Sequence, residues 1–528
     1  MNKNRLRLFL LLLLGLSYPF ASFLWRHAYP FNTLEVVIIF LVMLTVAFAL
    51  SVLLSAIRPL LACGVCALVT VLAMTVQFDL KFLALITLVA GVSALLFLIR
   101  ERFVLLGIPI IAAMTVGAFF DARMDSELGP AAPSTSSGEA PRPPVIHIML
   151  DSMIGVDGLP DHEQAAAIKN ELTDFFKEFN FSVLSRSYSR YTHTGDSVYS
   201  AFNFTHGANS IYQWEALGRL EHVLQSNHYF DQFAGLGYRF SILQTEHIDF
   251  CQFNPDVVEI CKTFLQPNAR TVQAFEQVTD RVRTLANLLI SQSTLLRDVG
   301  TGVFLSGKLG IAMHDPRVFG DLGRSIESAA DGYVHFAHVL LPHGPYAYRG
   351  DCSLFYGNDA LERYASEMGE NAPSDALLDT RNGLFLEQVR CATQSLRELL
   401  RPLQANGILD RSLVIIHGDH GSTVARRMAR KEFGDMLEPQ DYRSHYSTLF
   451  ALKFPGGRYQ QLDNTISLGA LFEHLNEAVA ASKGGWNAGN EFDFYWRSHN
   501  LPLDDAYIYL SGTYPLLRVN LDIFQNEP

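Results

Sequence analysis

The chain has 528 residues, of which 49% are apolar, and it carries a formal net charge of −12. A single compact core usually comprises about 100–200 residues, so this length predicts more than one domain. Because nucleic acid is bound through positively charged surface, the acidic balance argues against a nucleic-acid partner. The apolar residues are concentrated before about Phe120, and the composition beyond it is that of a water-soluble α/β protein.

Five apolar segments occupy this first part of the chain, each close to the roughly 20 residues that cross a bilayer. They are Leu8–Trp25, Leu34–Ala56, Pro59–Val76, Leu80–Ile99 and Phe103–Phe120. A cleavable signal peptide followed by buried core helices would explain the first segment but not five in succession. We therefore predict a transmembrane domain with five helices over residues 1–121.

Basic residues are distributed unevenly over the loops between these segments. One set of loops, which includes the amino terminus, holds Lys3, Arg5, Arg7, Arg58, Arg100 and Arg102, whereas the alternate loops hold little beyond Arg26 and Lys81. Positive residues favour the cytoplasmic side of a membrane. We therefore expect a multi-pass protein of the cell (inner) membrane, with a cytoplasmic amino terminus and a periplasmic or extracellular carboxyl-terminal part.

Residues 122–144 are rich in proline, glycine and serine and lack apolar periodicity, which is typical of a flexible linker. Beyond them, short apolar runs alternate with helical patterns. The predicted strands are Val145–Leu150, Phe181–Ser185, Tyr238–Leu243, Tyr333–Leu341, Ser412–His417 and Ser447–Phe454, and the predicted helices include His162–Glu178, Ala274–Leu296 and Asn382–Ala405. This alternation predicts an extracytoplasmic α/β domain over residues 145–528, with a mostly parallel central sheet and helices on both faces.

Four cysteines fall in the exported part, where disulfides are stable, namely Cys251, Cys261, Cys352 and Cys391. Cys251 and Cys261 are close in sequence, which leaves Cys352 to pair with Cys391. A zinc site made from the four thiolates is the alternative, but no Cys-x-x-Cys spacing supports it in this part of the chain. We expect two disulfides.

Two of the predicted strands end in residues that bind metals. Val145–Leu150 is followed directly by Asp151, and the run Leu413-Val-Ile-Ile-His-Gly is followed by Asp419, His420 and Gly421. In parallel sheets, ligands bind beyond the carboxyl ends of the strands. A lone aspartate after a strand is more often a turn former. The second strand, with its carboxylate and imidazole, instead favours one shared site for a divalent cation.

A candidate nucleophile lies between these strands, in the segment Tyr191-Thr-His-Thr-Gly-Asp-Ser. Thr194 precedes a predicted helix from Asp196, whose amino terminus would attract an anion. A cation that contacts the Thr194 hydroxyl would lower its pKa and make it a nucleophile. The alternative is that Thr194 only caps the helix.

Four histidines are candidates for other roles at this edge of the sheet. His335 and His338 lie on one predicted strand and face opposite sides of it, and we interpret both as structural. His343 lies beyond the end of that strand, in Leu-Pro-His-Gly-Pro-Tyr, where ligands are expected. His445, in Tyr-Arg-Ser-His-Tyr, is the second candidate for a phosphate contact or an acid/base group.

Taken in order, these motifs resemble the alkaline phosphatase/sulfatase superfamily. The five-helix anchor before them is similar to its membrane-bound branch, the phosphoethanolamine transferases and lipoteichoic acid synthases. The resemblance covers about Val145 to Pro455, and Thr194-Gly-Asp-Ser is similar to the Thr-Ser-Asp around the synthase nucleophile. Thr205-His-Gly lies where many members have Thr-Gly.

The resemblance implies that Thr194 is the catalytic nucleophile and also a metal ligand. Asp151, Asp419 and His420 would complete the site of one divalent ion, which could be Zn, Mn or Mg, and His343 and His445 would be substrate-binding histidines. The transferase branch usually has glutamate at its first ligand, so Asp151 is a departure. The Cys/Ser-x-Pro-x-Arg motif that sulfatases require does not occur in this sequence.

The predicted function is a metal-dependent phosphotransferase with a phospho-threonine intermediate. It would move a phospholipid headgroup, phosphoethanolamine or phosphoglycerol, from a membrane phospholipid donor to an envelope glycan or lipid acceptor. A membrane-anchored phosphodiesterase or sulfatase-like hydrolase is the alternative, and a catalytically inactive scaffold is a third possibility. The membrane anchor favours the transferase, because a lipid donor can be met by a domain that is tethered beside it.

Overall fold

The computed structural model describes residues 3–26, 29–56, 65, 68, 142–160, 162–204, 222–224, 226–245, 247–264, 272, 277–291, 317–328, 331–344, 346–353, 373–422, 424–428, 433, 436–480, 495–497 and 507–509. The chain divides into two compact units. One comprises Met1–Glu127 with Gln266–Met313, and the other comprises Leu128–Leu265 with His314–Pro528.

The described helices are α1 (Lys3–Arg26), α2 (Leu34–Leu54), α3 (Ala165–Glu178), α4 (Thr194–Phe202), α5 (His228–Gly235), α6 (Val278–Ser291), α7 (Arg317–Ser328), α8 (Asp375–Ala405), α9 (Ile408–Arg411), α10 (Pro439–Tyr446) and α11 (Leu468–Ala480). The described strands are β1 (Val145–Leu150), β2 (Ser182–Tyr188), β3 (His222–Val223), β4 (Arg239–Thr245), β5 (Ile248–Asp249), β6 (Val258–Phe264), β7 (Tyr333–Val339), β8 (Leu413–Gly418), β9 (Phe450–Lys453), β10 (Gln460–Ser467), β11 (Tyr495–Arg497) and β12 (Tyr507–Tyr509).

The larger unit is built on an eight-stranded sheet with the order β10-β2-β9-β8-β1-β7-β4-β6. Strand β9 runs antiparallel to its neighbours β2 and β8, and the other neighbouring pairs are parallel. The central strands β8, β1 and β7 are buried along their whole length and carry apolar residues almost continuously, as strands covered on both faces do. The prediction of a mostly parallel sheet is confirmed.

All six predicted strands are present; β1 has the predicted bounds, and the bounds of the other five differ by a few residues. The prediction omitted β6 and β10, which form the two edges of the sheet. Strand β6 alternates half-buried and exposed side chains, and β10 has the polar sequence Gln-Gln-Leu-Asp-Asn-Thr-Ile-Ser. Edge strands lack the continuous apolar run that made the central strands recognisable.

Helices cover both faces of the sheet. On one face, α4, α5 and α11 contribute to a core cluster that is rich in aromatic rings, including Phe202, Tyr229, Phe336, Phe450 and Phe472. On the other face, α7 packs on β4 and β7 and also against α8. The hydroxyl of Ser325 on α7 lies 2.7 Å from the Ser241 hydroxyl and 3.1 Å from Nδ1 of His335. These contacts satisfy His335, as the sequence predicted.

The smaller unit contains α1, α2 and α6. Among the described residues, α2 is the helix that is long and apolar enough to cross a membrane. The predicted third, fourth and fifth spans and the predicted linker lie almost entirely outside the described residues, so the five-helix anchor remains a prediction. Helix α6 packs against α2, although it lies far beyond it in the sequence.

Two histidines lie inside the aromatic core of the larger unit. The ring centroids of His147 on β1 and His417 on β8 are 4.9 Å apart. Neither ring nitrogen of His147 has a hydrogen-bond partner, and the same is true of Nε2 of His417. Burial lowers the pKa of His417 to about 4 and that of His147 well below its usual value. Both rings are therefore neutral at pH 7.

Because these two histidines are buried in the neutral form, we expect acid to destabilise the fold. In the unfolded chain both imidazoles titrate near pH 6.5, whereas the folded chain resists protonating them. The contribution of these neutral rings to the free energy of unfolding is therefore fully present above about pH 6.5 and is lost as the pH falls toward their pKa in the folded protein. For one such histidine, the free energy of unfolding is lower by about 2 kcal/mol at pH 5. We expect His147→Phe to reduce the fall in Tm between about pH 7.5 and pH 5.

The control for this measurement is His228→Phe, because His228 is exposed. This variant should show the same fall in Tm as the wild type. An unchanged pH dependence in His147→Phe would contradict the assignment of the acid sensitivity to the buried pair.

Candidate metal centre and active site

The register of β1 and β8 places two carboxylates side by side. Leu150 pairs with Gly418 in this parallel pair, so the residues that follow, Asp151 and Asp419, leave neighbouring strands at the same edge of the sheet. Both are 1% exposed. Gly418 itself lies so close to the Met153 carbonyl that a Cβ could not be accommodated. The sequence prediction that these two strands share one site is thus matched by their geometry.

Ser152 forms a hydrogen bond to each of the two carboxylates. Its backbone N–H donates to Oδ1 of Asp419 over 2.9 Å, and its hydroxyl donates to Oδ1 of Asp151 over 3.0 Å. The φ angle of Ser152 is +64°, in the left-handed region that residues other than glycine rarely adopt. Backbone strain of this kind is often found at functional sites. Here it sets the direction of the Ser152 side chain and of the chain that follows, while the Ser152 N–H donates to the second carboxylate.

Thr194 is the first residue of α4, and its hydroxyl lies within this cluster. Its Oγ1 is 3.3 Å from Oδ2 of Asp151 and 3.3 Å from Nε2 of His420. The N-cap position of α4 is occupied by His193, so the alternative interpretation of Thr194 as a helix cap is wrong. The threonine hydroxyl instead faces the candidate metal ligands Asp151 and His420 and lies at the amino terminus of a helix, where backbone N–H groups attract anions.

His420 is oriented by a backbone carbonyl. Its Nδ1 is 2.8 Å from the Gly421 carbonyl oxygen, and a proton on Nδ1 leaves a lone pair on Nε2. Nε2 lies 3.7 Å from Oδ1 of Asp151 and 3.5 Å from Oδ2 of Asp419. The three candidate ligand atoms of Asp151, Asp419 and His420 all lie within 4.8 Å of one another.

The charges of this cluster fit a cation. Burial raises the pKa of Asp151, but the neighbouring imidazoles, His343 first among them, outweigh burial and hold its pKa well below the usual range. Burial and the negative charge of Asp151 raise the pKa of Asp419. Oδ2 of Asp419 is buried and has no hydrogen-bond partner. Two adjacent buried carboxylates, one with an unsatisfied oxygen, are the environment that a divalent ion stabilises.

His338 also belongs to this site, which the sequence interpretation as a structural histidine missed. Its side chain is fully buried, and its Nε2 lies 3.8 Å from Oδ2 of Asp151. Its Nδ1 is 3.3 Å from the Thr245 hydroxyl. The alternation of β7 made His335 and His338 look equivalent apart from the face they occupy. Only the position of β1 beside β7 shows that one of them faces a carboxylate.

The two predicted substrate histidines differ in exposure. His343 is exposed on the turn after β7, and it contributes to lowering the pKa of Asp151. His445 is completely buried in α10, with Nδ1 2.7 Å from the Asp441 carbonyl oxygen, and its own carbonyl accepts the Gly421 N–H over 2.9 Å. The geometry therefore favours His343 as the side chain that meets a substrate, while the role predicted for His445 remains a prediction.

Both predicted disulfides are present in the structure, Cys251 with Cys261 and Cys352 with Cys391. The alternative of a zinc site formed by these four cysteines is therefore excluded. The second disulfide joins α8 to the segment that follows the His343 turn.

The Thr205-His-Gly motif lies outside the described residues.

Comparison with known proteins adds solved structures of similar fold. No protein-family model matches the sequence, and neither does any curated protein. Similar structures include the C-terminal periplasmic domain of EptC from Escherichia coli (12% identity, 74% of this chain and 98% of that chain covered, TM-score 0.41). The lipoteichoic acid synthase LtaP from Listeria monocytogenes is similar at 16% identity, with 70% of this chain and 80% of that chain covered and a TM-score of 0.36.

A third similar structure is a protein in the alkaline phosphatase superfamily from Vibrio parahaemolyticus, at 11% identity, with 71% of this chain and 76% of that chain covered and a TM-score of 0.39. At these identities and TM-scores the likeness says nothing about substrate or reaction, which have to be argued from the site itself.

The cluster predicts a divalent ion that depends on Asp419. Full-length protein purified and then incubated with zinc, manganese or magnesium should retain about one ion per chain, measured by elemental mass spectrometry after gel filtration. Asp419→Asn should weaken the affinity by about 10-fold or more, because it removes a buried charge from the donor set.

Asp410→Asn is the control, since the Asp410 side chain is 66% exposed and forms an ion pair with Lys453. It should bind the ion as the wild type does. A wild-type protein that retains none of the three metals would contradict the assignment of this cluster as a metal centre.

Proposed function

We propose that this protein is a membrane-anchored, metal-dependent phosphotransferase. It moves the phosphoethanolamine or phosphoglycerol headgroup of a membrane phospholipid to a glycan or lipid acceptor of the cell envelope. The observation that carries this proposal is the position of the Thr194 hydroxyl, which lies 3.3 Å from both the Asp151 carboxylate and the His420 imidazole. A buried hydroxyl among metal-binding side chains is the arrangement that an activated nucleophile requires.

Asp151, Thr194, Asp419 and His420 would hold the ion, and zinc, manganese and magnesium each accept this set of oxygen and nitrogen donors. When bound, such an ion supplies positive charge that acidifies the threonine hydroxyl and stabilises negative charge on a phosphoryl group. The amino terminus of α4 supplies further positive potential in the same place, because its first backbone N–H groups have no partner within the helix.

The chain's own residues account for transfer in two steps. The Thr194 oxygen attacks phosphorus, the bond from phosphorus to the diacylglycerol oxygen breaks, and diacylglycerol leaves as the alcohol after taking up a proton. An acceptor hydroxyl or amine then attacks the phospho-threonine, and the bond to the Thr194 oxygen breaks to restore the hydroxyl. His343 is the exposed imidazole near the cluster, and we assign it to substrate binding and proton transfer in these steps.

The proposed location follows from the membrane anchor. Helix α2 is long and apolar enough to cross a bilayer, and the distribution of basic residues favours a larger unit outside the cytoplasm. A lipid donor in the outer leaflet would then be at high effective concentration near the site. This arrangement supports a lipid donor over a freely soluble one.

Asp151 is the observation that favours the alternative function, a membrane-anchored phosphodiesterase or sulfatase-like hydrolase. An aspartate at this position is typical of hydrolases in the superfamily, whereas the transferases usually have glutamate. In that case water, not an envelope acceptor, would attack the phospho-threonine. An inactive scaffold is disfavoured, because the buried carboxylates, the imidazole and the threonine hydroxyl all converge on one point.

The proposal predicts that Thr194→Ala abolishes turnover and retains the fold. Since the change removes the attacking atom, we expect a loss of about 10³-fold or more. The matched control is Thr192→Ala, because the Thr192 hydroxyl contacts Nδ1 of His193 and not the metal cluster. The activity of both variants is measured as the rate at which they turn over headgroup-labelled phosphatidylethanolamine and phosphatidylglycerol. Mass spectrometry of the wild-type protein identifies the adduct and the residue that carries it.

Three outcomes of this experiment are informative. An adduct on Thr194 that passes to an added glycan or lipid acceptor supports the transferase, and one that is released only to water supports the hydrolase. A fully active Thr194→Ala protein would show that another hydroxyl is the nucleophile.

A further inference from the structure

We propose that Gln388 is a positioning residue that fixes the turn carrying His343. This inference rests on the proposed function of His343 in substrate binding. Gln388 lies on α8 and is 1% exposed. It is an uncharged residue outside the metal cluster, and the sequence offered no motif that would have singled it out.

One side chain makes four hydrogen bonds to the backbone of this turn. Nε2 of Gln388 donates to the carbonyl oxygens of Pro342 over 3.0 Å and His343 over 2.9 Å. Oε1 accepts the N–H groups of Ala347 over 3.0 Å and Tyr348 over 3.2 Å. These four bonds use both amide protons and both lone pairs of the oxygen. The bonding capacity of the side chain is therefore fully used by the turn.

The His343 side chain has no comparable anchor of its own. Its ring is exposed, and the contact of its Nδ1 is to the carbonyl oxygen of the adjacent Gly344. The place of the imidazole is therefore determined by the backbone of the turn. Because Gln388 binds that backbone on both sides of His343, it determines where the imidazole lies relative to Asp151.

The chemistry requires an amide at position 388. A carboxylate could accept the two N–H groups but would oppose the two carbonyl oxygens, and an apolar side chain would leave four buried backbone groups without partners. The far end of the segment is held separately, because Glu387 accepts the Gly350 N–H over 2.7 Å and Cys352 is bonded to Cys391. Loss of Gln388 should therefore loosen the turn without unfolding the protein.

The test uses Gln388→Met in the full-length protein, with Gln394→Met as the matched control on the same helix, since the Gln394 side chain bonds Glu398 near the surface. We expect Gln388→Met to lower turnover of a lipid donor about 10-fold to 100-fold, as a small misplacement of a functional group does. The control should keep wild-type turnover, and both variants should bind the metal as the wild type does.

A double-mutant cycle separates positioning from a general structural effect. If Gln388 acts through His343, then Gln388→Met has no further effect in a His343→Ala background. An equal loss in both backgrounds overturns the proposal. Hydrogen exchange at the Ala347 and Tyr348 amides gives a readout that does not depend on the reaction. Exchange at these amides should be faster in Gln388→Met than in the wild type, and unchanged exchange also overturns the proposal. A wild-type protein that does not turn over a lipid donor contradicts the proposed function alone.

A different part of the structure carries a second inference. We infer that α6 is a second attachment of the exported chain to the membrane helices, held by an ion pair between Arg281 and the buried Glu35. The chain leaves the larger unit after Leu265 and returns to it at His314, and the segment between belongs to the unit that contains α1 and α2.

Helix α6 of this segment packs its apolar side on one end of the α1–α2 pair. Leu285 and Val272 share a buried cluster with residues near the end of α1 and the start of α2, namely Phe20, Phe23, Leu24, Tyr29, Val36 and Ile39. The predicted topology places this end of both helices on the outer side of the membrane. Since α6 lies between two stretches of the exported part, its position agrees with that topology.

The ion pair lies beside this cluster. Glu35 is in the first turn of α2 and is completely buried. Its Oε1 accepts the Tyr29 hydroxyl, and its Oε2 lies 3.6 Å from Nε of Arg281 on α6. A buried carboxylate without a cation is strongly unfavourable, above all at the edge of a membrane. If α6 separated from α2, Glu35 would lose its counter-charge, so the ion pair keeps α6 in place.

The variant that tests this inference is Arg281→Gln, and Arg283→Gln is the control, because Arg283 is exposed on the same helix. In the full-length protein, amide hydrogen exchange of α6 should be accelerated about 10-fold or more in Arg281→Gln and unchanged in Arg283→Gln. Exchange that is the same in both variants overturns the inference, and this measurement is independent of any catalytic activity.

Discussion

The rest of the site depends on two buried carboxylates that lie next to each other. Asp151 and Asp419 follow neighbouring parallel strands, and burial together with the charge of Asp151 raises the pKa of Asp419. The protein offsets this cost in part with the Ser152 N–H and with nearby imidazoles. A bound cation would offset the remainder. The order of the central strands and the direction of α4 bring the side chains that would hold such a cation to one place.

The left-handed conformation of Ser152 illustrates how local strain serves this arrangement. A residue in an ordinary extended conformation would continue the line of β1 and direct its side chain elsewhere. With the chain turned at Ser152, its hydroxyl donates to Asp151 and its N–H donates to Asp419. One residue thus orients both carboxylates, and it does so immediately after the strand that delivers the first of them.

Much of this site could be predicted from sequence because it follows from apolar strands with polar ends. The runs that end at Asp151 and Asp419 are recognisable, and the position of Thr194 between them has a local pattern. Ser152 and His338 were missed for a physical reason. A serine gives no sign of its φ angle, and the two histidines of β7 become different only when β1 is placed beside them. The role of Gln388 was equally hidden, since its four bonds reach a turn that lies 40 to 46 residues earlier in the chain.

The sequence patterns also did not predict the edge strands of the sheet or the helices against which α6 packs. Strand β10 is polar because one side of it faces water, and polar runs do not distinguish strands from loops. The pattern of α6 correctly predicted a helix, but periodicity gives only the apolar side of a helix and not its partner. In this case the partner is a helix pair near the amino terminus, reached by contacts of very long range.

The docking of α6 bears on how the two units of this protein can be separated. Proteolysis between residues 122 and 144 would cut the chain once, but α6 would still be packed against α2. A recombinant fragment that begins at Val145 would carry α6 without the helices that cover Leu285, leaving an apolar stripe open to solvent. Such a fragment would be prone to self-association, and removal of residues 266–313 would be the rational remedy.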